Sequence, residues 1–227
     1  MAAGEGTRLR PLTERWPKPV LPIDGRPLVA VLLRELATAG CERVWVVTGH
    51  LAEQVEGLVG DGSAFGVDIH CVRQPEVLGS ADALRRALDA GAAVPLLASA
   101  ADTLFGAGDV ARFTRLFGAS RAAGAVAVRT DPGPGPDRRA ILRSGERVVQ
   151  MRDDDGSNPW TPAPLWGLDH AVADRLCRDR PPYELENAYQ AAIDAGEAVM
   201  ALEIGKTRDL TYPLDLVEEN FPYLRST

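Results

Sequence analysis

Residues 2–22, AAGEGTRLRPLTERWPKPVLP, concentrate side chains that handle anions. Gly4 and Gly6 permit a left-handed backbone and close approach to a ligand. A loop of this kind turns several main-chain N–H groups toward one anion. Thr7 adds a hydroxyl, and Arg8 offers a planar fork that matches phosphate oxygens. Lys18 stands between Pro17 and Pro19, whose rings hold the backbone extended and project a point charge. Of the 25 basic residues only Lys18 and Lys206 are lysine, so an ammonium at position 18 departs from the chain's own preference for arginine. Residues 1–27 carry five basic side chains against three acidic ones, whereas the whole chain has a formal charge of −7. An acidic protein with one Gly-rich basic corner suits a small polyphosphate better than a polymer. The loop is not a P-loop, because no Gly-Lys-Ser/Thr follows its glycines. Nor is it the dinucleotide GxGxxG, since Leu9 occupies the third glycine's place.

Such residues need a scaffold, and hydrophobic periodicity predicts one. Helical spacing recurs over residues 27–39, 51–59, 80–90 and 109–123. Short β-branched or apolar runs at 43–48, 67–72, 94–99 and 125–129 read as strands between them. This alternation implies an α/β fold with a doubly wound, mostly parallel sheet. The rhythm breaks at DPGPGPD, residues 131–137, where alternating prolines and glycines end any regular element. Strand-like pieces at 140–143 and 147–151 flank a Ser-Gly-Glu turn. Residues 153–164 read as a polar, Pro-rich loop. Helices return at 171–178 and 184–195, then a strand at 198–204 and a helix at 213–220. The expected organisation is a single domain, 1–227, with a nucleotide-binding half to residue 130, an acceptor-side half from 131 to 227 and a small β-rich insertion. Asp102 falls at the C-terminal end of a predicted parallel strand, where open α/β sheets place ligands.

Composition narrows the function classes. At 227 residues, with 45% hydrophobic and 25% charged residues, the chain is that of a soluble globular protein able to fold without staples. An isoelectric point near 5.1 argues against a nucleic-acid partner. No apolar run reaches a membrane span and no signal pattern opens the chain, so a cytoplasmic protein without a membrane partner is expected. The cysteines, Cys41, Cys71 and Cys177, form no CxxC. His70 beside Cys71 mimics a zinc fragment, but adjacent strand residues point to opposite faces, and packed reduced thiols are the simpler reading. Trp45, Trp160 and Trp166 read as packing residues.

The string AAGEGTRLRPLT followed by PKPVLPI (residues 17–23) resembles the signature loop of the sugar-1-phosphate nucleotidyltransferases, the nucleotide-sugar pyrophosphorylases similar to glucose-1-phosphate thymidylyltransferase. The resemblance continues through Asp24-Gly25-Arg26-Pro27-Leu28 and covers nearly the whole chain. Arg73-Gln74-Pro75-Glu76 and Leu78-Gly79-Ser80-Ala81-Asp82 resemble the base-binding segment. Ala101-Asp102-Thr103 resembles the metal segment, and residues 205–216 the closing segment that supplies a second metal aspartate. The resemblance implies a Rossmann-like, GT-A-like fold. It implies attack of a sugar 1-phosphate oxygen on the α-phosphorus of a nucleoside triphosphate, UTP or dTTP, with release of pyrophosphate. Such a reaction needs positioning and charge neutralisation more than covalent catalysis. By resemblance, Ala3, Gly4, Gly6 and Thr7 cradle the triphosphate and Arg8 holds the β- and γ-phosphates. Lys18 bridges the α-phosphate and the incoming phosphate. Gln74 reads a base edge, and Gly79 and Ser80 let the base lie close. Asp102 and Asp209 hold Mg²⁺, a hard ion suited to carboxylates and phosphate oxygens. Read alone, Asp102 and Asp209 also suit turn caps, and Gln74 before a proline also suits a plain loop. Lys206 has no assigned role beyond a solvated turn.

Three departures from the family pattern stand out. The apolar strand that precedes the loop in the family is not in this sequence, where Met1 abuts Ala2. The expectation is therefore that about five residues of a central strand are missing from the start. On the acceptor side the family's Glu-Lys pair is replaced by Met151-Arg152-Asp153-Asp154-Asp155, in which Asp153 stands for the glutamate and no lysine follows. Asp153 and Glu184 are the acceptor-side candidates. Ala163-Pro164-Leu165-Trp166 also lacks the usual Asn and Gly, Ala101 replaces a glycine and Thr207 an aromatic. Two alternatives follow: cytidylyl transfer to a non-sugar phosphate such as a phosphocholine-like acceptor, and a non-catalytic nucleotide-binding regulator. The expected partners are a nucleoside triphosphate and a phosphorylated small-molecule acceptor, with the chain a monomer or homo-oligomer.

Overall fold

The computed structural model describes residues 1–135, 139–178 and 180–221, so Pro136 and Asp137 of the Pro-Gly break lie outside the described residues. Three short 3-10 turns come first, Thr7–Leu9, Leu12–Glu14 and Lys18–Val20. A minimal hairpin follows, β1 (Pro22–Ile23) and β2 (Arg26–Pro27). Alternation then sets in with α1 (Leu28–Thr38), β3 (Arg43–Thr48), α2 (Ala52–Val59), β4 (Asp68–Arg73) and α3 (Ser80–Asp89). It continues through β5 (Leu96–Ser99), β6 (Thr103–Leu104), α4 (Asp109–Ala119) and β7 (Gly124–Arg129). Next come β8 (Ala140–Ser144), β9 (Arg147–Asp153), β10 (Thr161–Leu168) and α5 (His170–Ala173). The remaining elements are α6 (Leu185–Asp194), β11 (Val199–Glu203), β12 (Arg208–Asp209) and α7 (Pro213–Asn220).

Three elements depart from the periodicity reading, each for a local reason. Residues 161–164, expected in a loop, belong to β10, which lies between β5 and β7. Pro162 and Pro164 are tolerated because the ladder to β7 shifts register between Pro162 and Trp166, and pairing with β5 starts only at Leu165. Proline lacks an N–H and is confined to such bulges and unpaired stretches. The helix expected over 109–123 ends at Ala119, where the Ser120 hydroxyl donates to the Phe117 carbonyl at 2.8 Å and so competes with the helix. That expected over 171–178 stops at Ala173; beyond it Arg175 and Leu176 bond carbonyls three residues back, and Cys177 takes φ 57°.

The residues gather into two compact units, and both draw on chain from either side of residue 130. The first comprises Met1–Val77, Ala100–Leu104 and the segment from Arg208 onward. Here β3 and β4 run parallel from Arg43↔Asp68 to Thr48↔Arg73. Residues 1–3 lie alongside: the Ala2 N–H donates to Val47 at 2.7 Å, Ala2 bridges Thr48 in parallel, and the Ala101 N–H donates to the Met1 carbonyl at 2.9 Å. Leu9, Leu21, Ile23, Leu28, Leu104 and Leu210 bury together in this unit. Trp45 stacks on His70 across the β3–β4 pair, with ring centroids 5.1 Å apart.

The second unit, Leu78–Ser99 with Phe105–Thr207, carries a six-stranded sheet ordered β5-β10-β7-β11-β9-β8. Parallel pairing holds between β7 and β11, as in β3–β4 of the first unit. The β8–β9 hairpin and β10 enter antiparallel, so this sheet is mixed, and β5, the strand expected to run parallel toward Asp102, is an edge strand paired antiparallel with β10. Every residue of β7 is buried. Tyr189, fully buried, donates to the Gly167 carbonyl at 2.7 Å, and burial pushes its phenol well above the usual range. No helix among the described residues is long and apolar enough to cross a membrane.

A Cβ on Gly167 would overlap the Phe117 ring. Gly167→Ala is therefore expected to lower stability by about 1–3 kcal/mol, read as a fall in the urea midpoint. An unchanged midpoint would contradict the tight seating of α4 on β10.

Candidate functional site

The anion-handling loop is shaped by its own turns. Ala3 is buried and its carbonyl accepts the His50 N–H at 3.1 Å. Beyond it Gly4 is open: an added Cβ would meet nothing within 4 Å. Gly6 takes φ 62°, and its added Cβ would stand 2.9 Å from the Thr13 methyl, so both the backbone and the packing require glycine. The Thr13 hydroxyl donates to the Gly6 carbonyl at 2.9 Å, and the Leu9 N–H donates to the same oxygen at 2.9 Å. His50 Nε2 lies 2.7 Å from the Thr13 carbonyl. Thr7 and Arg8 begin the first 3-10 turn, which has no side-chain cap. Arg8 is exposed, its guanidinium 5.9 Å from the centre of the Tyr212 ring. Thr13 and His50 were not among the sequence candidates. Thr13 lay within the quoted PLT, whereas nothing local marks His50.

The two residues with the strongest chemical rationale meet. Lys18 Nζ donates to Asp102 Oδ2 at 2.7 Å, with 14% of the lysine side chain and 34% of the aspartate exposed. Pro17 is extended, at φ −64° and ψ 144°, but Lys18, expected extended between its two prolines, instead opens the 3-10 turn Lys18–Val20. The Thr103 hydroxyl donates to Asp102 Oδ1 at 3.3 Å. Asp209 joins them through the β12–β6 ladder, which pairs it with Thr103, the neighbour of Asp102. The fold thus brings the segments that carry 102 and 209 together although nearly half of the chain separates them. Gln74, just past β4, is 3% exposed and its N–H donates to the Thr48 carbonyl at 2.7 Å.

In the second unit Gly79, Ser80 and Glu184 form one construction. Gly79 has φ 109°, and an added Cβ would collide with the Tyr183 backbone, so its first demand for glycine is internal packing. Glu184 Oε2 accepts from the Ser80 hydroxyl at 2.5 Å, and that hydroxyl accepts the Leu185 N–H at 2.8 Å. Each side chain therefore serves the first turn of the other's helix, where orphan N–H groups favour oxygen partners. A residue assigned to the nucleotide and one assigned to the acceptor hold each other. Asp153 is occupied locally: Oδ2 accepts from Asn158 Nδ2 at 2.6 Å and Oδ1 from the Asp155 N–H at 3.1 Å. Trp160 lies under the Arg143 guanidinium, 3.6 Å from the ring centre. Lys206 pairs with Asp131 at 3.3 Å on the surface.

Among the described residues no group of three or more His, Cys, Asp or Glu gathers to hold a metal. The donor set at Asp102 and Asp209 is two carboxylates. That set does not suit a closed zinc or calcium cage; it fits a hard ion that takes one or two carboxylates and completes its shell with phosphate oxygens and water. The arrangement offers a Gly-rich loop for anions, a lysine already lodged on a carboxylate, and a second carboxylate alongside.

The chain matches the family described as Nucleotidyl transferase over residues 1–137. A glucose-1-phosphate thymidylyltransferase of Streptomyces griseus is 28% identical over 235 residues, covering 100% of this chain and 66% of that protein. The chain spans about two thirds or less of the length of the curated relatives it matches. The solved inositol-1-phosphate CTP transferase from T. maritima superposes with a TM-score of 0.80 at 20% identity, covering 97% of this chain and 94% of that one. UDP-glucose pyrophosphorylase from Acinetobacter baumanii superposes at 0.79 and 20% identity, covering 98% and 90%. At these identities the likeness is one of fold, and that fold is α/β and Rossmann-like.

Ser80→Ala removes one donor and one acceptor from the α3–α6 link. The expected cost is about 1–3 kcal/mol, with faster hydrogen exchange at the Leu185 amide; unchanged exchange there would contradict the reciprocal cap.

Proposed function

The chain belongs to the nucleotidyl transferase family, and we propose that it condenses a nucleoside triphosphate, UTP or dTTP, with a sugar 1-phosphate. The products are a nucleoside diphosphate sugar and pyrophosphate. The observation that carries this reading is the Lys18–Asp102 pair in the unit that holds the Gly4–Arg8 loop, with Asp209 on the adjoining strand.

An oxygen of the acceptor's phosphate attacks the α-phosphorus. The new P–O bond forms as the bond to the bridging oxygen breaks, and pyrophosphate leaves with that electron pair. The backbone of Gly4, Gly6 and Thr7 cradles the triphosphate. Arg8 grips the β- and γ-phosphates, whose charge grows as they depart. Lys18 moves from the Asp102 carboxylate to the α-phosphate and the incoming phosphate, drawing two anions together that otherwise repel. Gln74 reads a base edge. Asp102 and Asp209 would hold a divalent cation, Mg²⁺ by their donor chemistry, and it would supply charge neutralisation on the phosphates. No step calls for a covalent enzyme intermediate.

A second reading is cytidylyl transfer to a non-sugar phosphate. Two observations favour it: the likeness to the T. maritima inositol-1-phosphate CTP transferase, and the lack of the lysine that follows the acceptor glutamate in the sugar-specific pattern.

Pyrophosphate release across a panel of nucleoside triphosphates and phosphorylated acceptors separates the two. UTP or dTTP with a sugar 1-phosphate is expected to turn over in the presence of Mg²⁺; turnover only with CTP and a non-sugar phosphate selects the second reading. Lys18→Met and Asp102→Asn are each expected to lower kcat by about 10²–10³-fold. Nucleotide binding without turnover for any pair would overturn both readings in favour of a regulatory binder.

A further inference from the structure

Asp209 stands on a strand of two residues. Its ladder to β6 pairs Arg208 with Leu104 and Asp209 with Thr103, and nothing longer supports it. So short a ladder does not specify its own register, and a slip of one residue turns each side chain to the opposite face. The register of Asp209 therefore has to be held from outside the ladder.

Arg208 does this through a fork that spans two distant segments. Nη1 donates to Asp24 Oδ2 at 2.6 Å and Nη2 to Asp24 Oδ1 at 3.3 Å, a bidentate grip on the turn between β1 and β2. Nε donates to Glu219 Oε2 at 2.6 Å, and Nη2 also reaches the Glu219 carbonyl at the end of α7. Glu219 is well shielded, with 12% of its side chain exposed, and Arg208 is one-third exposed. Asn220 closes the construction. Its Oδ1 accepts the Asp24 N–H at 2.9 Å and its Nδ2 donates to the Pro22 carbonyl at 2.9 Å. Asp24 holds φ 52°, a conformation that aspartate tolerates better than most residues. The arginine beside it holds the Asp24 carboxyl below its ordinary range.

Two residues further on, Leu210 is fully buried with Leu9, Leu21, Ile23, Leu28 and Leu104. Alternate side chains of extended backbone share a face. Arg208 and Leu210 thus anchor one face of this segment, and Asp209 is left to the other. The helix that supplies Glu219 has no buried residue of its own. Its partly buried Leu216 rests against that cluster, and polar links complete its seat, among them the arginine's bonds to Glu219.

We infer that Arg208 is a positioning residue: gripped by Asp24 and Glu219, it fixes the register that presents Asp209 beside Asp102 and so sets the site's affinity for a divalent cation. This rests on the assignment of Asp209 as a metal ligand. A planar five-donor fork reaches both partners at once, whereas a lysine reaches one. Arg208→Lys should therefore recover part of what Arg208→Met loses.

The test reads Mn²⁺ binding to the full chain by electron paramagnetic resonance with a non-hydrolysable nucleoside triphosphate, beside nucleotide binding in EDTA. Arg208→Met is expected to weaken Mn²⁺ binding about tenfold while metal-free nucleotide binding is unchanged, and Arg208→Lys is expected to fall between it and wild type. Should Arg208→Met fail to fold, Glu219→Gln is read in its place, with a loss in the same direction. Wild-type Mn²⁺ binding in that variant overturns the clamp. So does a loss of metal-free nucleotide binding in step with Mn²⁺, the mark of general unfolding. Asp209→Asn serves as the reference: if it binds Mn²⁺ like wild type, the assignment of Asp209 itself fails, a result distinct from failure of the clamp.

Discussion

At 2.7 Å the Lys18 ammonium rests on the Asp102 carboxylate, and the arrangement of the first unit follows from keeping those two groups in reach of each other. Lys18 arrives on a turn set by Pro17. Asp102 arrives just after the Ala101 N–H has bonded the Met1 carbonyl, the end of the run that lies beside β3. Neither charge is fully solvated, so separating them with nothing to replace the partner is costly. A nucleoside triphosphate with a divalent cation supplies both replacements: phosphate oxygens for the ammonium, and the cation for the carboxylate. On the proposed function the site is thus prepared as an exchange of partners, with little reorganisation left for the moment of reaction.

Side-chain hydrogen bonds between distant segments recur beside several of the candidate residues. Thr13 and His50 shape the Gly6 turn, Ser80 and Glu184 tie two helix starts, and Arg208 joins the β1–β2 turn to α7. Thr13 and Glu219 are well shielded from water, where a missing partner costs more than the bond itself contributes. The glycines at 6 and 79 complete these constructions, because a Cβ at either would meet Thr13 or the Tyr183 backbone.

Much of this was legible in the sequence, and the reasons are local. The loop, Lys18 and Asp102 lie in short strings that the sequence alone singles out. The β3–β4 and α1–α3 alternation shows in the 2.0 and 3.6 periods. β10 escaped because Pro162 and Pro164 normally break a strand, and only the bulge and the late start of the β5 pairing make room for them. The link between Ser80 and Glu184 was hidden because each residue had a credible separate role. Arg208 gave no signal at all: it is one arginine among many, and its partner Asp24 is 184 residues away. Long-range pairing of ordinary surface-type residues leaves no periodicity to read.

The two lysines make the central claim directly measurable. With lysine side chains labelled with nitrogen-15, the protein should give only two ammonium resonances, from Lys18 and Lys206, assigned by their loss in Lys18→Arg and Lys206→Arg. Titration with nucleoside triphosphate and Mg²⁺ is predicted to shift the Lys18 signal as its partner changes from carboxylate to phosphate, leaving Lys206 in place on Asp131. Saturating nucleotide binding with an unmoved Lys18 resonance would contradict the account.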